Sequence, residues 1–321
     1  MSSAKNEKVK ERSIDLSLII VSYDVKEYVL NCLSSIYKNA VDLEIEVLLV
    51  DNASKDETLE AVVKDFPQVK AIDAGGNLGF ARANNLALKE ARGRHVLFLN
   101  PDTVLHPGCL QGMVAFLDKN EEAGAAGCKV FYGDGRLQYT CKDFPSFPRE
   151  VYSFYGLKKF LPMNGFTKFL LGGKLERSRS YDEPRKVDWL LGAFLMVRRS
   201  FLEEVGFFDE NFFLYYEEID LCLRLKEAGY STHFIPFFTL THFTGKSSEN
   251  ASVLSYVERH RSLLHFFRKH HPYQLPFLRF SLLPGLLFFM LLNLPFLWKK
   301  AARNRLIAYG KTLPLFLGIS A

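Results

Sequence analysis

Four short apolar runs punctuate the first hundred residues, and each breaks off into polar ones. Ile14 to Val21 (IDLSLIIV) ends in Ser22-Tyr23-Asp24, and Ile45 to Val50 (IEVLLV) ends in Asp51-Asn52. Val69 to Asp73 is shorter, and Val96 to Leu99 ends in Asn100-Pro101-Asp102. Continuous apolar runs of this length predict strands buried on both faces. Between them, apolar residues recur at helical spacing, as in Val29, Leu33, Ile36 and Tyr37. The next helical segment runs to Phe66, with Asn52 or Ser54 placed to cap it, and Ala81 to Ala91 follows with Gly93 as its stop. This alternation predicts βαβ units: an α/β protein with a mostly parallel central sheet and helices on both faces.

Right-handed crossovers bring the carboxyl ends of the first, second and fourth strands to one edge. In open α/β sheets that edge is where ligands bind. Pro101 cannot extend the strand ladder, so Asp102 falls just past its end. One Asn-Pro-Asp alone is most simply turn chemistry. Three polar clusters at one edge exceed it, and they mark Ser22, Tyr23, Asp24, Asp51, Asn100 and Asp102 as a candidate site. The first turn reads SYDVKEY, so the glycine fingerprint of dinucleotide folds is missing, as is a GxxxxGKS phosphate loop. The glycines at 75, 76 and 79 follow the third strand and are weak evidence alone.

Further along, Ala123 to Tyr139 predicts two strands joined by a Gly-Asp-Gly turn, and Cys141 to Arg185 shows no clear period. Such a long irregular stretch in a compact unit is functional or disordered, and is read as an acceptor-side insertion. Val187 to Arg198 predicts one strand with Gly192 inside it, where glycine marks a bulge or close backbone approach. From Tyr216 on, Glu218, Leu221, Cys222 and Leu225 share one helical face, and Asp220 can pair with Arg224. Glu217 suits a helix N-terminus. Glu218 on an apolar stripe asks for another reason. His242, in LTHFTGKS, is by itself more simply structural than a metal ligand.

The motifs LIIVSYD (18–24), LLVDNASKD (48–56), GNLGFARANN (76–85) and VLFLNPDT (96–103), in that order, resemble family 2 glycosyltransferases, most of all the rhamnosyltransferase branch. The likeness runs from about Leu16 to Phe267. It implies a GT-A fold that transfers sugar, with inversion, from a nucleotide diphosphate. It further implies that Asp51 and the Ser22–Asp24 turn hold the nucleoside, with Asn77, Arg82, Asn100, Asp102 and Gly192 on the donor side. Asp102 matches the last acid of the family's DxD motif, so a divalent metal (Mg or Mn) is expected near Asp102 and His242. Glu218 matches the general base, and Lys246 and Ser247 are candidate phosphate contacts. The sequence departs from the pattern at Asn100 (for an acid), Asp24 (for Asn) and Glu218 (for Asp). Two readings stay open beside it: a sugar nucleotidyltransferase, which would want a GxGTR-like first turn, and a membrane-bound nucleotide-sugar-binding protein without catalysis.

Composition adds the surroundings. The net charge of +5 is modest and no nucleic-acid signature appears. Basic residues gather near the C-terminus beside apolar runs, which points to an anionic membrane surface. Phe280 to Trp298 has no charge, but Pro284, Pro295 and basic flanks argue for a peripheral or re-entrant anchor over a plain span. Five scattered cysteines suit buried thiols in a reducing cytosol, and the polar first residues lack a signal core. The expected organisation is a disordered lead-in (1–13), a transferase unit (14–248, its nucleotide half ending near 108), and a membrane-associated tail (249–321). The expected partners are a nucleotide-diphosphate sugar, a lipid-linked or glycan acceptor and the cytoplasmic face of a membrane.

Overall fold

The computed structural model describes residues 14–157, 180–243 and 252–319. The lead-in, Lys246, Ser247 and much of the irregular stretch after Cys141 lie outside them.

The chain opens with β1 (Leu16–Ser22), α1 (Lys26–Asn39), β2 (Ile45–Asp51), α2 (Thr58–Asp65), β3 (Lys70–Asp73), α3 (Gly79–Leu88) and β4 (His95–Leu99). These four strands are parallel, with Ser22 opposite Asp51 and Asp51 opposite Asp73. Next come β5 (Thr103–Leu105), α4 (Cys109–Lys119), β6 (Ala123–Tyr132), β7 (Leu137–Gln138), β8 (Cys141–Lys142) and α5 (Phe147–Phe154). Then follow β9 (Arg185–Val187), β10 (Trp189–Leu190), β11 (Phe194–Arg198), α6 (Arg199–Val205), α7 (Glu217–Glu227) and β12 (Ser231–His242). The main sheet runs β3-β2-β1-β4-β11-β6-β12-β5, with β11 and β5 antiparallel to their neighbours.

Alternation along β1 explains its unbroken apolar run. Leu18 and Ile20 face α1 and α4 in one core, while Ile19 and Val21 face the other side, which includes Ala83, Leu221 and Phe266. All five cysteines are free and buried.

The expected single strand at 187–198 is three pieces. β9 pairs with β12, β10 with β8, and β11 inserts between β4 and β6, so the chain changes partner at each break. The α2 cap also differs: Glu57 holds the N-cap position at φ 61, and Asp56 Oδ1 accepts the Thr58 amide at 3.2 Å. Ser54 and Asn52 are used elsewhere in the site. Gly93 is not a helix stop but a close approach, since a Cβ there would lie 2.4 Å from the Ser17 nitrogen.

The tail forms α8 (Ser252–His270), α9 (Leu275–Asn293) and α10 (Lys300–Leu317). Val257, Leu264 and Phe267 of α8 are buried, and Lys269 bonds Asp209 at 2.9 Å and Asp220 at 2.7 Å. Helix α8 is thereby fastened to α7, where Arg224 also pairs with Asp220 at 2.8 Å. Leu275–Phe296, 22 residues with an 18-residue stretch of mean hydropathy 1.9, is long and apolar enough to cross a membrane. Pro284 sits within α9.

Candidate active site

A cleft of about 350 Å³ opens at the carboxyl edge of the sheet, with Tyr23, Asn77, Asn100, Asp102, Gly192, Glu218 and His242 on its wall. Those residues come from six separate segments, which the mixed sheet brings together, parallel in the first four strands and antiparallel at β11 and β5.

Four expected residues do not line it. Ser22 Oγ donates to Asp51 Oδ1 at 3.0 Å, and the Ser54 amide donates to Asp51 Oδ2 at 3.0 Å. Buried Asp51 thus braces the β1–β2 edge from behind Tyr23 and Asn52. Asp24, at φ 51, is exposed and accepts the Lys55 amide at 2.6 Å. Arg82 is turned away: its side chain is 57% exposed and faces Glu210 at 3.6 Å. The inner face of α3 is taken by Ala81, Ala83 and Ala87, which leaves Arg82 on the solvent side.

Asn52 is a site residue that sequence reasoning used only as a cap. Its Oδ1 accepts the Leu78 amide at 2.7 Å, and its Nδ2 donates to Asn77 Oδ1 at 3.0 Å. This brace fixes the glycine loop. Gly79 is required there, since its φ is +78 and a Cβ would lie 2.3 Å from the Phe213 carbonyl oxygen. The Phe80 amide donates to that same oxygen at 2.7 Å, tying the glycine loop to the segment before α7.

Asp102 and His242 meet because β5 and β12 pair with His242 opposite Thr103. Asp102 Oδ1 lies 3.1 Å from His242 Nε2, and both side chains are nearly buried. His242 Nδ1 donates to Gln138 Oε1 at 3.0 Å, and Asn100 Nδ2 donates to Nε2 at 3.3 Å. That tautomer aims the Nε2 lone pair and a carboxylate oxygen at the same space, an arrangement suited to sharing a cation. Among the described residues no group of three or more metal-type side chains occurs, so these two would need oxygens from a ligand to complete a coordination shell. Gln138 was missed because a short hairpin strand carries no sequence signal of its role.

The acid pair sits at the start of α7, after two residues in the left-handed region, Tyr215 at φ 69 and Tyr216 at φ 71. Non-glycine residues there cost of order 1–3 kcal/mol each, and such strain clusters at functional sites. Glu218 is 7% and Glu217 5% exposed, and each has an Oε2 with no hydrogen-bond partner. Glu217, expected at a solvated helix terminus, is therefore as buried as its neighbour. Burial pushes the Glu218 carboxyl up to about 6, against backbone amides of its own turn, the Lys142 charge and the Gly192 amide. Burial and then the Glu218 charge push Glu217 well above the ordinary range. Glu217 keeps its proton to higher pH, so Glu218 is the member that ionises first. Gly192 is not a steric necessity for the protein itself, as a Cβ would meet only Glu218, at 3.8 Å or more. It would, however, intrude on the cleft.

The sheet, the cleft at its switch of strand direction and the acid pair define a nucleotide-sugar glycosyltransferase of GT-A fold. The model of glycosyl transferase family 2 matches residues 17–206, and the chain belongs to that family of inverting transferases. It is 30% identical to the N-acetylglucosaminyl-diphospho-decaprenol L-rhamnosyltransferase of Mycobacterium tuberculosis, over 80% of this chain and 85% of that protein. It is also 30% identical to the rhamnosyltransferase WbbL of Escherichia coli, over 70% of this chain and 82% of that protein. A solved mannosyltransferase from Pyrobaculum calidifontis, in complex with GDP-Man and Mn2+, shares the fold with a TM-score of 0.55 at 17% identity, over 95% of this chain and 86% of that one. These matches favour neither the nucleotidyltransferase nor the non-catalytic alternative.

Proposed function

We propose that the chain transfers a deoxyhexose, rhamnose foremost, from a nucleoside diphosphate to a lipid-diphosphate-linked saccharide in cell-envelope glycan synthesis. The observation that carries the mechanism is the Glu218 carboxylate, buried with an unpartnered oxygen in the same cleft as Asp102 and His242. In a single in-line displacement the acceptor oxygen bonds the anomeric carbon, the bond to the diphosphate breaks, and Glu218 takes the acceptor's hydroxyl proton. Tyr23, Asn77 and Asn100 contact the donor, Asp51 and Ser22 hold the turn that receives the nucleoside, and Gly192 leaves room for the sugar. Asp24 and Arg82 belong to this donor side only if the β1–α1 turn and helix α3 that carry them shift on binding.

Asp102 and His242 fit a divalent ion, Mg2+ or Mn2+, by their donor chemistry. When bound it supplies positive charge to the departing diphosphate. The similarity to a decaprenol-linked transferase supports the acceptor class, and the exposed apolar side of α9 supports a membrane location.

Charge adds to that support. From Arg259 onward there are ten Lys or Arg and no Asp or Glu, so of the chain's 41 basic and 36 acidic residues, 31 and 36 precede it. A slightly acidic body therefore carries a strongly basic, apolar end, as expected of a peripheral or re-entrant anchor on the cytoplasmic face. In this reading residues 14–248 are the transferase unit and 249–321 the anchoring tail.

The test is a transfer assay with a panel of nucleotide sugars and a GlcNAc-diphosphate-lipid acceptor, with and without EDTA. Transfer of rhamnose that stops in EDTA is expected. Full transfer in excess EDTA removes the metal, and transfer of another sugar only removes rhamnose.

A further inference from the structure

A second cleft, of about 290 Å³, lies behind the catalytic one, between α5 and the tail helices. The two share a wall. Tyr215 lines the front cleft and Tyr216 the rear one, while Ser255 and Tyr256 divide in the same way. Two adjacent left-handed residues thus send their side chains to opposite sides immediately before the acid pair.

The lining of the rear cleft mixes polar and apolar side chains. Arg259 is exposed into it and forms no ion pair among the described residues. His260 beside it is neutral: burial pulls it down to about 4, and its Nδ1 donates to the Tyr256 carbonyl at 2.8 Å. Glu150 also lines the cleft; burial raises its carboxyl, against the charges of Arg259 and Arg149 and a hydrogen bond from Tyr216. Arg259 is the only Lys or Arg among the described residues that line the cleft. Its wall also includes Leu282 and Phe289 of α9. The outside of that helix shows Phe280, Phe288 and Leu291, at 80%, 56% and 63% exposed. A single helix therefore lines the cleft within and forms the apolar surface without.

A cationic group facing an apolar wall suits an amphiphile with an anionic head. A water-soluble glycan would have no use for that wall. We propose that the rear cleft holds the phosphate-bearing head and first isoprenoid units of a prenyl-diphosphate-linked acceptor, with the head on Arg259 and the chain along Leu282 and Phe289. The sugar of such an acceptor would then reach past Tyr216 to Glu218. This rests on the reading of the chain as a transferase onto lipid-linked saccharides.

The probe is farnesyl diphosphate, titrated by calorimetry into the full-length protein in detergent. Saturable binding that a nucleoside diphosphate does not displace is expected. Arg259→Gln should weaken it about tenfold or more, the worth of a lost charge-assisted hydrogen bond. Leu282→Trp should block it by filling the apolar side. Nucleoside-diphosphate affinity is the folding control for each variant, and if Leu282→Trp fails that control, Arg259→Gln decides alone. Unchanged farnesyl diphosphate affinity in Arg259→Gln would overturn the site. So would displacement by a nucleoside diphosphate, which puts the probe in the front cleft. Inorganic pyrophosphate binding as tightly as farnesyl diphosphate would overturn the isoprenoid part. A chain that binds farnesyl diphosphate as described but no nucleotide sugar would leave this cleft standing and sink the transferase reading instead.

Discussion

The two sides of the catalytic cleft treat their polar groups in opposite ways. On the side proposed for the donor, Asp51 has both oxygens bonded, and Asn52 is tied to the Leu78 amide and to Asn77. On the acceptor side, Glu217 and Glu218 each keep an unpartnered oxygen in near-complete burial, behind two strained tyrosines. Satisfied groups fix a shape. Unsatisfied ones hold free energy in reserve for a ligand, because a buried polar oxygen without a partner is costly until something pairs with it. The donor side is thus a mould, and the acceptor side is where chemistry is stored.

Breaking the stored side should give the largest effect. Glu218→Gln keeps size and hydrogen bonding but cannot take a proton, so turnover should fall about 10²–10⁴-fold with little change in donor affinity. Glu217→Gln should be mild, as that residue is already the protonated partner. The opposite ranking would shift the base by one residue. In the wild type, turnover should rise with pH through about 6 as Glu218 ionises, and that limb should vanish in Glu218→Gln.

Breaking the mould should cost less activity and more structure. Asp51→Ala removes two hydrogen bonds to a buried charge and leaves Ser22 only its long bond to the Val50 carbonyl, a loss of about 2–3 kcal/mol in stability by denaturant titration. Donor affinity should weaken with it. Arg82→Ala, which removes only an exposed ion pair, is the matched control and should leave both measurements alone. A donor affinity that falls with Arg82→Ala and not with Asp51→Ala would reverse the assignment.

The smallest effect sharpens the comparison most. The Glu218 carboxyl is raised from 4.5 to about 6 in the fold. Such a group stabilises the folded state fully below the unfolded value and loses that contribution as pH rises through the folded one, about 2 kcal/mol in all. Glu218→Gln should therefore melt a few degrees higher than the wild type at pH 7–8, and the gap should close towards pH 4. A variant that melts lower at pH 7 would show that the carboxylate is structural after all.

How much of this was legible in the sequence follows from where the information is held. The strands of the donor half are plain because burial on both faces leaves an unbroken apolar run, and Pro101 marks the end of β4 without ambiguity. Glu218 stands out as a carboxylate on an apolar stripe. Arg82 was misplaced for the converse reason: α3 is so rich in alanine that its buried stripe is faint, and the sequence does not say which side faces the sheet. The break at Leu191–Ala193 and the roles of Gln138 and Lys142 depend on two-residue strand pairings. Partners that distant and that short leave no local period to read.

The uneven division of charge has one more consequence, and it concerns approach, not contact. A molecule with its positive charge gathered at one end is an electric dipole. Near an anionic bilayer it feels a torque before it feels adhesion, within the roughly 8 Å that physiological salt leaves unscreened. Encounters are sorted by orientation at that range: the basic end is drawn in while the acidic body is pushed outward. On the proposed membrane-bound reading, the enzyme would reach the surface already facing the way its chemistry requires.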